Sequence, residues 1–243
     1  VSSERILHRA DALVERVRTV ITGEPAARAA LRRGVGLTPE DPRMIPAHGI
    51  VAPYTTDEHS NTERAFYAVA AIMAAQTRDA RGKDTASGEE EAEPQISGDG
   101  SAAENEAEPV QARGNGQSKD NGEAEKGAKA TGKAGKRPNL GVTLAKAVIK
   151  RTLNADTTEQ RLHLLARQPI DGVHRHLPRL VLHLRGNSEP VDWGLLIRDL
   201  ARWGHSPGQV AKEWVQGYHR TLETDRRKAK ATTTATTEGS EAA

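Results

Sequence analysis

The residues in this 243-residue chain best equipped for chemistry are arginines, and the chemistry they suit is the holding of phosphate. Arg161, Arg167, Arg175, Arg179, Arg198, Arg202 and Arg220 recur along four successive helical patterns, with Lys146, Lys150 and Arg151 just upstream and few carboxylates between them. A guanidinium presents a planar fork of donors that matches two phosphate oxygens at once. A basic surface of this kind is the electrostatic footprint of a phosphate-binding protein. A second constellation, His174-Arg175-His176 with Asp171 close by and His163 and His183 on adjacent helices, offers ligand types that zinc accepts. Its spacing follows no standard zinc pattern, so these histidines read as exposed or phosphate-facing members of the same basic surface.

Enzyme chemistry finds no other foothold. Cysteine is absent, which removes disulfides, thiolate metal sites and a cysteine nucleophile. There is no phosphate-cradling glycine loop, no serine elbow, and no cluster of carboxylates placed for two-metal catalysis. The run Glu89-Glu90-Glu91 falls in a segment too poor in apolar residues to hold a geometry. No catalytic residue, metal or cofactor is expected.

The net charge of +2 conceals a gradient. Residues 1–78 carry 10 Lys and Arg against 9 Asp and Glu, residues 79–138 carry 9 against 13, and residues 139–228 carry 15 against 9, with six of the nine histidines. The basic excess is therefore sorted into the last third. No run of 18 apolar residues and no secretory leader pattern is present, and the lack of cysteine fits a reducing compartment. The expectation is a cytoplasmic protein without a membrane partner.

The elements that must position these arginines are helices. Ile6, Leu7, Ala10, Leu13, Val14, Val17 and Ile21 recur at helical spacing up to Gly23. A second helix starts at Pro25, where the missing N–H costs nothing, and ends in Arg32-Arg33-Gly34. The proline- and glycine-punctuated stretch 36–54 reads as a long ordered connection. A third helix over 62–77 shows Phe66, Val69, Ala70 and Met73 on one face. Between 79 and 138 the only large aliphatics lie at Ile96 and Val110, so this segment cannot repay its ordering entropy and is expected to be disordered. It is acidic first and basic last, and it reads as a loop insertion.

Helical periodicity resumes at residue 139 with Leu140, Leu144, Val148 and Ile149. The next helix has Thr157 or Thr158 as its expected cap and Leu162 and Leu165 inside. In 171-DGVHRHLPRLVLHLRG-186 the stripe Val173, Leu177, Leu180, Val181, Leu184 contains Pro178, so the helix is expected to begin near Leu177 or to bend there. In 191-VDWGLLIRDLARWG-204, Asp192 stands at a cap position, Trp193, Leu196, Ile197, Leu200 and Trp203 share one face, and Gly204 follows as the residue past the end. Arg198, Asp199 and Arg202 are expected on the opposite, solvated face. A last helix carries Val210, Ala211, Trp214, Tyr218 and Leu222, and the tail from 226 is expected to fray. No strand alternation occurs. The fold expected is all-α, with two small helical domains at 1–78 and 139–225, a long disordered linker at 79–138 and a disordered tail at 226–243.

The order of TEQRLHLL (158–165), HLPRLV (176–181), VDWGLLIRDLARWG (191–204) and a closing helix with Trp214 and Tyr218 resembles the CasB family, the small subunit of the type I-E CRISPR surveillance complex, Cascade. ALRRG (30–34), IPAHGIVAPY (45–54), TERAFYAVAAIMA (62–74) and LGVTLAKAV (140–148) are similar to it in the same order. The linker is longer than the family pattern. The resemblance implies a two-domain helical protein without catalytic activity. Its implied partners are the guide-RNA backbone subunits, the large subunit, the guide RNA, a second copy of itself, and the target and displaced DNA strands. Carried over by motif position, the nucleic-acid contacts would be Arg32, Arg33, Arg64, Lys146, Arg161, Arg179, Arg198 and Arg202. The competing reading is a helical protein-interaction module whose arginines dock an acidic partner.

Overall fold

The computed structural model describes residues 3–56, 58–82 and 137–240, with side chains to residue 231. Every regular element among them is helical. In chain order these are α1 (Ser3–Gly23), α2 (Pro25–Arg33), a 3₁₀ turn Pro42–Met44, α3 (Ile45–Val51), a 3₁₀ turn Ala52–Tyr54 and α4 (Ser60–Ala75). After a helical turn at 78–82 the described chain resumes at residue 137 and forms α5 (Leu140–Ile149), α6 (Ala155–Ala166), α7 (Ile170–Gly186), α8 (Trp193–Trp203) and α9 (Pro207–Ser240). The segment expected to be disordered lies, over 83–136, outside the described residues.

Most boundaries follow from local chemistry. Asn139, Asn154 and Asp192 cap α5, α6 and α8, each accepting a hydrogen bond from the backbone N–H three residues on. The cap of α6 is thus Asn154, not Thr157 or Thr158, because the Thr158 hydroxyl turns back to donate to the Asn154 carbonyl at 2.6 Å. The connection at 36–54 contains a short helix, α3, which tolerates Pro46 in its first turn. Helix α7 does not begin near Leu177: it runs through the proline from Ile170. The ring removes one N–H, and the helix keeps its continuity because Val173, Leu177, Pro178, Leu180, Val181 and Leu184 are all buried against neighbours. Helix α9 continues past residue 225 to Ser240, since no glycine or proline interrupts 218–238.

The core is continuous across the described residues, which fall into one compact unit. Its centre is the pair α4 and α8, which pack on each other, while α1 packs on both. Every residue of α4 from Ala65 to Ala74 is buried, not one face alone. Helix α8 is likewise enclosed. Besides the expected Trp193, Leu196, Ile197, Leu200 and Trp203, it buries Gly194, Leu195, Asp199 and Ala201. The solvated face expected for α8 is reduced to Arg198 and Arg202, both half-buried. The physical reason is that α1, α4 and α9 all pack on α8.

All three tryptophans are buried. Trp203 and Trp214 meet at 5.0 Å between ring centroids, and the Trp214 indole N–H donates to Asp199 at 2.8 Å. Two glycines are set by close approach. A Cβ on Gly141 would collide with the Trp214 carbonyl, where α5 crosses α9, and one on Gly204 would collide with the Asn61 side chain. Gly204 has φ −60°, so it ends α8 by this contact and not by a left-handed cap.

Two arginines tie down the chain on either side of residues 83–136. Arg185, 2 % exposed, donates to the Gln76 side chain and to the Ala80 and Glu189 carbonyls at 2.5–2.7 Å. Arg137 forks onto both Asp11 of α1 and Asp192, with bonds of 2.5–2.9 Å.

Candidate nucleic-acid interface

On α7, positions 171, 175, 178, 179 and 182 follow one another at helical spacing and share a face. The structure turns this face toward the first turns of α4 and the loop that leaves α2. The three enclose a groove of about 660 Å³. Arg64, Asp171, Arg175 and Arg179 supply its charged lining, and Val35, Gly36, Pro178 and Leu182 its less polar lining. Gly36 adopts φ +78°, a left-handed turn that a side chain would strain, and this brings the loop back along the groove.

Arg64 is the inner cation, with its side chain 16 % exposed. Its Nη1 donates to Asp171 Oδ1 at 2.5 Å, while its Nε is buried with no hydrogen-bond partner. Asp171 stands at the rim, 76 % exposed. The hydrogen bond from Arg64 holds its carboxyl below the usual range, helped by the positive field of the same guanidinium and more weakly by His174 and Arg175. His174 lies beneath this pair. Burial, then the Arg64 charge, pushes its imidazole down to about 4, so it is neutral near pH 7, and its Nε2 has no partner.

The structure distributes the expected site residues unequally. Arg64 and Arg179 come together in the groove. Arg32 and Arg33 are exposed in the last turn of α2, immediately before the loop that lines it. Lys146 on α5 and Arg161 on α6 are exposed but lie outside the lining. Neither of these two, nor Arg32, Arg33, Arg175 or Arg179, has a carboxylate within salt-bridge distance among the described residues. Arg198 and Arg202 are engaged internally. Arg198 pairs with Asp199 at 2.8 Å, and Arg202 forks onto Glu213 at 2.8 and 2.9 Å. Asp199 itself is 1 % exposed, and burial raises its pKa even though Trp214 and Arg198 donate to it. Glu213 is lowered by its bond from Arg202.

Two features were not singled out by residue type alone. Arg185 was readable as a buried cation, because it stands four residues after Val181 on the apolar stripe of α7. Asp171 as a groove carboxylate had no signal of its own, since its partner Arg64 is 107 positions away.

The histidines of the alternative metal reading do not converge. His174 is buried, whereas His176 and His183 are exposed. The described residues instead bring Glu159, His163 and His219 near one another, with candidate ligand atoms within 4.8 Å. A structural zinc site takes four protein ligands, one more than this trio supplies. No helix among the described residues is long and apolar enough to cross a membrane.

Comparison with known proteins gives a consistent picture. The family described as CRISPR-associated protein Cse2 matches residues 27–219. A solved chain from a "CRISPR RNA-guided surveillance complex" is 54 % identical, with a TM-score of 0.68, over 92 % of this chain and 99 % of that one. A chain from a "CRISPR RNA-guided surveillance complex, pre-nicking" is 55 % identical, with the same TM-score and coverage. The crystal structure of M. ruber CasB is 17 % identical with a TM-score of 0.59, over 90 % of this chain and 97 % of that one, which is a likeness of fold. No curated protein matches.

Proposed function

The chain belongs to the CRISPR-associated Cse2 family, and on that premise we propose that it is the non-catalytic small subunit of a type I-E CRISPR RNA-guided surveillance complex in the cytoplasm. Its task is to steady the R-loop by holding the backbones of the target and displaced strands. It works beside the guide-RNA backbone subunits, the large subunit and a second copy of itself. The observation that carries this reading is the groove in which Arg64, Arg175 and Arg179 converge next to Arg32 and Arg33. Strand exchange between a duplex and a guide is nearly balanced, so contacts to the DNA backbone can tip it. Contacts of this type position a strand without reading its bases, which suits a subunit that must serve any guide.

Within that role the members differ. Arg32, Arg33, Lys146, Arg161 and Arg179 offer exposed cations. Arg64 joins them at the groove, and Arg198 and Arg202 contribute only the donors that Asp199 and Glu213 leave over. The test is a salt titration of single-stranded DNA binding by the full chain. Affinity is expected to fall linearly on a log–log plot, with a slope of about −0.7 for each phosphate neutralised. Binding that is absent at low salt, or indifferent to salt, contradicts phosphate holding.

A further inference from the structure

Resting on that reading, we propose that the groove is a subsite for one backbone phosphate of a single strand. Arg64, Arg175 and Arg179 receive that phosphate, and Asp171 occupies its place until DNA arrives. The groove volume of about 660 Å³ suits a nucleotide-sized ligand and not a duplex. Three arginines face it against a single carboxylate, so the lining keeps a cationic excess even with Asp171 ionised. The carboxylate that meets Arg64 is the most replaceable kind of partner: it is on the surface, 76 % exposed, and joined by a single hydrogen bond. Arg64 cannot leave. Its side chain is largely enclosed, and its Nε points into buried space where no acceptor waits. An anion entering the groove therefore finds a pre-aimed guanidinium, and it competes with Asp171 for the Nη1 donor. His174 beneath remains neutral near pH 7, so the positive charge that meets the anion comes from the arginines.

This arrangement gives Asp171 a specific consequence. A carboxylate competing for Arg64 weakens every phosphate contact there by the strength of one exposed ion pair, and it sets a threshold against adventitious anions. It also lowers the salt sensitivity of binding, because its negative charge offsets part of the positive charge that would otherwise release counterions from the DNA.

The test compares the full chain with Asp171→Asn, Asp171→Glu and Arg175→Ala, using a labelled single-stranded oligothymidylate over a range of salt. Asp171→Asn is expected to tighten binding about threefold to fivefold and to steepen the salt slope by up to about 0.7. Asp171→Glu should restore the wild-type behaviour, and Arg175→Ala should loosen binding. A merely structural Asp171 would move the melting temperature and leave the salt slope alone. If the wild-type chain binds the oligonucleotide but Asp171→Asn binds no tighter, the subsite is wrong and the proposed function stands. If neither binds, both fall. If only Asp171→Asn binds, the wild-type chain does not hold phosphate, and the proposed function falls with the subsite.

Discussion

Helices α7 and α8 each carry two arginines four residues apart, Arg175 and Arg179 on one, Arg198 and Arg202 on the other, and the two pairs end in opposite circumstances. On α7 both are exposed and face a groove with one weakly held carboxylate. On α8 both are half-buried and clamp Asp199 and Glu213. Spacing and residue type are the same, and the difference lies in what the neighbours bring. Helix α9 supplies Glu213 and Trp214 to α8, while α7 looks outward past Asp171. An arginine becomes part of an interface when the fold leaves its carboxylates elsewhere.

The comparison breaks most visibly at Asp199. Asp199→Ala removes a buried acceptor shared by Arg198 and the Trp214 indole. It should cost about 3–5 kcal/mol, read as a large drop in melting temperature. A loss below about 1 kcal/mol would mean the α8 pair is not structural. On the inner side of α7, His174 predicts a pH effect. Its pKa is about 4 in the folded chain against an ordinary 6.5, so the unfolded chain takes up the extra proton between these values. Stability is fully present above about pH 6.5 and falls as pH drops toward 4. About 1.5 kcal/mol should be lost between pH 6.5 and 5, and His174→Leu should flatten that part of the profile. Arg202→Ala, which opens a partly exposed fork to Glu213, should cost only about 1 kcal/mol. Smallest in stability is Arg179→Ala, within about 0.5 kcal/mol of wild type. The same change should lower the DNA salt slope by about 0.7, which Arg202→Ala should not match.

Much of the fold was legible because helices announce themselves by period. Ile6 to Ile21 (Leu7 apart, which is half-buried), Leu177 to Leu184 and Trp193 to Trp203 bury the expected stripe. Enclosure of α4 was also written in the chain, where residues 65–75 hold no charged side chain. What could not be read was which stripes are buried twice. Nothing local to Leu195, Asp199 or Ala201 says that other helices will cover them. The same limit governs the site. Arg64 and Arg179 could be named from motif position, but their meeting depends on α4 and α7 packing across more than a hundred residues of sequence. Asp199 was assigned to the solvent side because it falls off the apolar stripe of α8, and only Trp214 from another helix reveals it as a core acceptor.

The central claim is that this chain steadies an RNA-guided strand exchange through its basic surface. Its most direct test is the lifetime of the R-loop on a matched target, measured with the guide-RNA complex assembled with and without this chain. The account predicts a markedly shorter lifetime when the chain is left out, recovered on adding it back. An unchanged lifetime would contradict it.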